Sequence, residues 1–169
     1  MAILHYSPQD VTVSIAGMYL LDGYADGTFV NIVKEVKPFT SMTSMDGNRA
    51  RVYNKDSGYQ VELTLAQSSR SNDILSAIYN IDVATQIGKF PLFIKDNRGT
   101  TTFMALTAWV EDIPNVSFGN SLETRTWVLG CSQASLAVGG NANLSAAESV
   151  AFFGASLLPL LKDFGLGIG

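Results

Sequence analysis

Apolar and polar residues alternate along most of this chain, with the period of two that a half-buried strand requires. Val11-Thr12-Val13-Ser14-Ile15 sets apolar side chains on one face and hydroxyls on the other. Residues 29–36 are rich in β-branched types and lie between Asp26-Gly27 and Pro38, which predicts a second strand. In Tyr59–Ala66, Tyr59, Val61, Leu63 and Leu65 share one face while Gln60, Glu62 and Thr64 share the other. The turn-forming run Lys55-Asp56-Ser57-Gly58 predicts a hairpin joining residues 49–54 to Tyr59–Ala66. Asp96-Asn97-Arg98-Gly99 predicts another, joining residues 91–95 to residues 100–110. Residues 121–130, carrying Trp127, read as a last long strand.

One segment changes period. Ser71 as a cap, Asp73 in the first turn, and Ile74, Leu75, Ile78 and Ile81 at near-helical spacing predict an α-helix over about 71–87, ending before Gly88. Strands, one helix and more strands make a mainly β domain over residues 1–141. A β-sandwich or barrel with one flanking helix satisfies that order.

Two stretches fall outside this plan. Residues 36–51, VKPFTSMTSMDGNRAR, form a connection longer than an ordinary hairpin loop and carry Phe39, Met42 and Met45. They read either as a flexible loop or core strand, or as an arm reaching another subunit, where unbranched methionines suit an adaptable contact. The second stretch is a C-terminal extension, residues 142–169. A helix is expected from about Ser145, with Glu148 at the capping-box position, to Leu158, stopped by Pro159. Phe152, Phe153, Leu157, Leu158, Leu160 and Leu161 are too many for one narrow helical stripe, so the extension is expected to dock on its own domain or a neighbour's.

Composition sharpens this picture. Of 169 residues only 15% are charged and 47% are hydrophobic, against about 25% charged in an average domain. So apolar a surface points towards burial in an assembly. The net charge of −4 argues against an electrostatic nucleic-acid binder. Cys131 is the only cysteine, which excludes an intrachain disulfide and a thiolate zinc cluster, and it reads as a small buried hydrophobe. His5 is the only histidine and has only Asp10 as a nearby carboxylate. Asp22-Gly23-Tyr24-Ala25-Asp26-Gly27 lacks the third ligand and terminal glutamate of a calcium loop and reads as two tight turns. Glu111 and Asp112, adjacent in a strand, are expected on opposite faces rather than as an acid–base pair. No catalytic, cofactor or metal site is therefore expected, and the chain does not read as an enzyme. The first residues lack a signal-peptide pattern, and residues 149–161 as a helix would span roughly 20 Å, short of the roughly 30 Å hydrocarbon core. No membrane insertion is expected.

Several of these segments also resemble a family. YSPQDVTVSIAG, DGYADGTFVNIVKEV and GYQVELTLAQSSRSNDILSAI resemble tail tube proteins of contractile-tailed bacteriophages. PLFIKDNRGTT and TRTWVLGCSQASLAVGGN fit the same template, so the resemblance covers roughly residues 6–141. Its most specific part is the passage from an LTL strand through a polar linker to SNDILSAI. Family members end soon after the GGN, and residues from about 142 depart from that pattern.

The resemblance implies a virion protein, made in the host cytoplasm, that forms hexameric rings stacked into a tube. DNA would pass through the channel without specific binding, inside a tail sheath and between baseplate and tail-terminator proteins. It needs no cofactor. Gln60, Glu62, Thr64 and Glu123 are the candidate lumen residues, because carboxylates and hydroxyls do not retain phosphates as Lys and Arg would. Phe39, Thr40, Met42, Met45 and Asp46 are the candidate ring-to-ring contact. Phe152, Phe153, Leu157, Leu158 and Leu161 are the candidate tail contact. The alternatives are a membrane-active β protein inserting its apolar tail, a ligand-binding β-sandwich, and a tube-like ring from a baseplate end or secretion system.

Overall fold

A computed structural model describes residues 5–140 and 146–163. In chain order its elements are β1 (Val11–Ile15), β2 (Tyr19–Leu20), β3 (Val30–Lys34), β4 (Phe39–Thr43), β5 (Arg49–Tyr53), β6 (Tyr59–Ala66), α1 (Ser71–Thr85), β7 (Phe90–Asp96), β8 (Thr102–Asp112), β9 (Thr124–Ala137) and α2 (Ala146–Asp163). Seven strands form one sheet in the order β2-β1-β7-β8-β9-β6-β3, and β4 and β5 form a separate pair. All pairings are antiparallel. The mainly β architecture with a flanking helix is thus the one that the alternation predicts.

Register decides which face of the sheet is the core. Val61 pairs with Leu129 and Leu63 with Trp127, so β6 and β9 turn these side chains to the same side. Val13, Ile15, Leu92, Ile94, Phe103 and Ala105 from β1, β7 and β8 complete the same cluster. In the sheet, β1 and β6 are separated by three strands, yet they share one core, so the sheet curls around it. The chain from Leu21 to Ala25 crosses the open side: Leu21 donates its N–H to the Val13 carbonyl at 2.9 Å and Ala25 donates to the Thr64 carbonyl at 3.1 Å. No continuous ladder joins the two edges, and the sheet is open rather than a closed barrel.

α1 packs its buried Leu75 and half-buried Ile78 and Tyr79 against this core. Burying one such leucine contributes about 1.5–3 kcal/mol. Trp127 Nε1 donates to Asn72 Oδ1 at 2.9 Å, giving the indole N–H a partner beside the helix. Ser71 was the expected cap, but it is the first helical residue and its hydroxyl donates to the Asp22 carbonyl at 3.1 Å. Ser69 Oγ instead accepts the Ser71 N–H at 3.1 Å. The hydroxyl two residues earlier takes that N–H, which leaves Ser71 to tie α1 to the β2–β3 connection. The helix ends at Gln86 in the left-handed region (φ 58°), with the Gly88 N–H donating to Asp82 Oδ1.

Strand pairing corrects three expectations, and the course of α2 corrects a fourth. Residues 49–54 do not form a hairpin with Tyr59–Ala66: β5 pairs with β4, while β6 lies between β3 and β9. The reason is chemical. β6 carries a continuous apolar face that needs core neighbours, whereas Arg49-Ala50-Arg51-Val52-Tyr53 sets only Ala50 and Val52 on one face and two arginines on the other. β5 turns back onto β4 through the Ser44–Asn48 turn, where Gly47 adopts φ +80°, although the five-residue connection to β6 is no longer than this one. Residues 36–51 are accordingly neither a flexible loop nor a core strand; they contain most of an exposed hairpin. The last strand is Thr124–Ala137 rather than 121–130, preceded by an irregular segment, residues 113–123. α2 continues through Pro159 to Asp163. Proline removes only the hydrogen bond to the Ala155 carbonyl, and buried Leu160 holds the last turn in place. The expected cap Ser145 lies outside the described residues. By contrast, the β7–β8 hairpin forms as predicted, with Lys95 opposite Thr102.

Leu63 is fully buried at the centre of this core. Leu63→Ala should cost about 2–5 kcal/mol in urea denaturation with an unchanged slope. A cost under about 1 kcal/mol would show that β6 is not the centre of the core.

Candidate assembly surfaces

The β4–β5 hairpin projects from the domain with every strand residue exposed. Its register gives it two unlike faces. Phe39, Ser41, Thr43, Arg49, Arg51 and Tyr53 lie on one face, and Thr40, Met42, Ala50 and Val52 on the other. On the first, the Phe39 and Tyr53 rings stand 5.4 Å apart and the Arg51 guanidinium lies 4.2 Å from the Phe39 centroid. On the second, Met42 is 65% exposed, and Met45 at the tip is fully so. Asp46 sits in the same turn. An exposed hairpin with large apolar residues on both strands leaves them without burial in the single chain.

The sheet face opposite the core carries the polar row of β6. Asn31 pairs with Glu62, Val33 with Gln60, and Thr64 with Thr126, whose hydroxyl oxygens are 3.3 Å apart. Thr124, Thr126 and Val128 therefore share the face of Gln60, Glu62 and Thr64, and neither Lys nor Arg occurs on it in β3, β6 or β9. Arg125 has the other parity. It is buried, donates from Nη2 to the Ser117 carbonyl at 3.2 Å, and lies 5.7 Å from the Phe118 ring. Glu123 precedes β9 at the end of this row, where its carbonyl accepts the Gln67 N–H and its own N–H donates to Gln67 Oε1. It is set apart from Gln60, Glu62 and Thr64.

α2 packs along β9 of its own chain, with Leu160 buried and the Ser135 hydroxyl donating to the Ser156 carbonyl. Phe152 and Phe153 are half-buried, and the Lys95 ammonium lies 5.9 Å from the Phe153 ring. Leu157, Leu158 and Leu161 stay exposed, so the helix divides the five proposed tail-contact residues between its own chain and the outside. Lys162 at its end stands 5.3 Å from the Tyr53 ring, which joins α2 to the hairpin base around a cavity of about 380 Å³.

One surface was missed by the reading of periodicity. Ile113, Val116, Phe118 and Leu122, in the segment between β8 and β9, are 45–80% exposed. Its signal was present: four large apolar residues among Pro, Gly, Asn and Ser, with no alternation that would bury them.

Nothing among the described residues groups three or more His, Cys, Asp or Glu side chains for a metal. Cys131 is buried, and burial, with Glu35 and Glu111 adding, pushes its thiol up from about 9 to about 12. Burial thus keeps this thiol protonated near neutral pH. No helix among the described residues is long and apolar enough to cross a membrane.

The curled sheet with its flanking helix also occurs in solved structures of other assemblies. The chain matches a chain in the sheath/tube terminator of an extracellular contractile injection system, in its extended state, with a TM-score of 0.52 and 10% identity, over 82% of this chain and 100% of the other. It also matches a chain in the virion of a native gene transfer agent particle, with a TM-score of 0.50 and 10% identity, over 76% and 95%. At that identity the likeness is one of fold. No protein-family model matches the chain. In sequence it is 32% identical over 151 residues to structural protein ORF10 of Pseudomonas phage KPP10, covering 85% of this chain and 87% of that protein. The chain belongs to that family of phage structural proteins.

Tyr24, like Cys131, is raised by burial, from about 10 to about 12. Both acids therefore lose their protons more readily in the unfolded chain. The stability tied to their protonated forms is complete below about pH 9 and is lost as pH rises towards about 12. Urea midpoints should fall between about pH 8 and about pH 11, and less steeply in Cys131→Ala; an equal fall in both proteins would remove Cys131 from this account.

Proposed function

We propose that this chain is the tube subunit of a contractile phage tail, forming hexameric rings that stack around a channel for DNA. It is a virion component, as its family indicates. The observation that carries the finer reading is the face of β3, β6 and β9, with Gln60, Glu62, Thr64 and Thr126 in register and no cation. Each cation facing a phosphate would add salt-dependent affinity, multiplied along a stack of rings. A carboxylate- and hydroxyl-bearing face instead lets a polyanion slide. Glu123 stands at the rim of this lumen.

The β4–β5 hairpin supplies the contact from ring to ring through Phe39, Thr40, Met42, Met45 and Asp46. Its contacts are heterologous, and repeated head to tail they build an open filament. Neighbouring copies also cover the sheet edges that the single chain leaves unpaired. The sheath lies outside the tube, with baseplate and terminator proteins at its ends, and Leu157, Leu158 and Leu161 of α2 are available to them or to the next subunit. The role is mechanical and uses neither catalysis nor a cofactor.

Concentrated purified protein should show hollow tubes of uniform width in negative stain. A stable monomer on a sizing column would sink the proposal, and isolated rings that never stack would move the chain to the end of a tube. Deleting residues 40–46 should leave folded subunits that form no long tubes. Glu62→Lys tubes should retain short DNA at low salt and release it as salt rises, whereas wild-type tubes should retain none; equal retention would place β6 outside the lumen.

A further inference from the structure

The hairpin needs a receiving surface, and the fold holds one at its far end. β6 runs from the side where the hairpin joins the sheet, at Tyr59, to the side where β9 begins, at Ala66 opposite Thr124. Eight residues of strand separate these ends by about 25 Å. At the far end stands the irregular segment 113–123, held in place by Arg125 through the Ser117 carbonyl. It exposes Ile113, Val116, Phe118 and Leu122, a set of side chains that the domain core does not use.

Charge is distributed unequally between the ends. Lys34, Lys37, Arg49, Arg51, Lys55 and Lys162, six of the eleven Lys and Arg, gather at the hairpin, its stems and the end of α2 that meets Tyr53. They outnumber Glu35, Asp46, Asp56 and Asp163 there. Around the far end lie Asp22, Asp73 and Glu123, with Asp112 at the start of segment 113–123, against exposed Arg70 and buried Arg125. The end that presents an aromatic–basic face and a methionine tip is thus opposite an end that presents an apolar segment beside carboxylates.

We infer that segment 113–123 is the seat for the β4–β5 hairpin of a second copy of this chain. Met42 and Val52, on one face of the hairpin, pack with Met45 at its tip on Val116, Phe118 and Leu122, and Arg49 and Arg51, on its other face, meet Asp112 and Glu123, so that the seat grips the hairpin from both sides. With donor and seat at opposite ends of one domain, copies that point the same way repeat the contact head to tail, which builds an open filament. This rests on the tube reading, since it names the partner of the ring-to-ring contact. It adds the part of the neighbour that is touched.

The two ends can be tested in trans with full-length protein. Cys131 is buried, so a Met45→Cys chain and a Val116→Cys chain each carry one reactive thiol. When the two are mixed under tube-forming conditions with a short bismaleimide, a cross-linked dimer containing one chain of each kind is expected, in excess of dimers of either kind alone. Arg49→Glu with Arg51→Glu should shorten tubes at least tenfold, and adding Asp112→Lys with Glu123→Lys in the same chain should restore them. Circular dichroism and a sizing column verify that each variant is folded. Tubes that form without the mixed cross-link overturn this inference and leave the tube reading standing. Absence of both tubes and cross-link overturns the two together.

Discussion

The strand Tyr59–Ala66 is held between β3 and β9 with Val61, Leu63 and Leu65 in the core, and the rest of the molecule depends on that placement. Strand geometry sends every second side chain the other way, so burying these three also commits Gln60, Glu62 and Thr64 to the opposite face. A slip of one residue would put Glu62 into the apolar interior at a prohibitive desolvation cost. One pairing therefore specifies both the core and the polar face.

The same register orients the two ends of the domain. At one end the chain leaves β3 and returns to β6 through the exposed hairpin; at the other, β8 passes to β9 through segment 113–123. α1 closes the core with Leu75 and is tied to the β2–β3 connection by Ser71, which leaves the polar row of β6 uncovered. Many of the large apolar residues left exposed lie in elements the core does not need: the hairpin, segment 113–123 and the outer side of α2.

Much of this was legible in the chain itself. The alternation in Tyr59–Ala66, the turn at Asp96-Asn97-Arg98-Gly99 and the apolar spacing of Leu75 and Ile78 are local signals, and each corresponds to an observed element. Where the reading failed, two local signals competed. Lys55-Asp56-Ser57-Gly58 is good turn chemistry, but β5 has an equally near partner in β4, and β6 has better ones in β3 and β9, which share its apolar face. Pro159 is a helix-stopping signal that the burial of Leu160 overrides. The polar row was readable as a face, but its partners Asn31 and Thr126 and its separation from Glu123 were not, because they depend on which strands lie side by side.

The sequence by itself determined the class of fold, the composition of each strand face and the surplus of apolar surface that requires neighbours. Those properties follow from period and composition, which are local. Only the tertiary structure decided that Thr126 joins the row of Gln60, Glu62 and Thr64, that Arg125 turns inward, and that the hairpin and segment 113–123 stand at opposite ends of β6. Each of these depends on long-range strand pairing, where two segments far apart in the chain meet because their apolar faces fill one core.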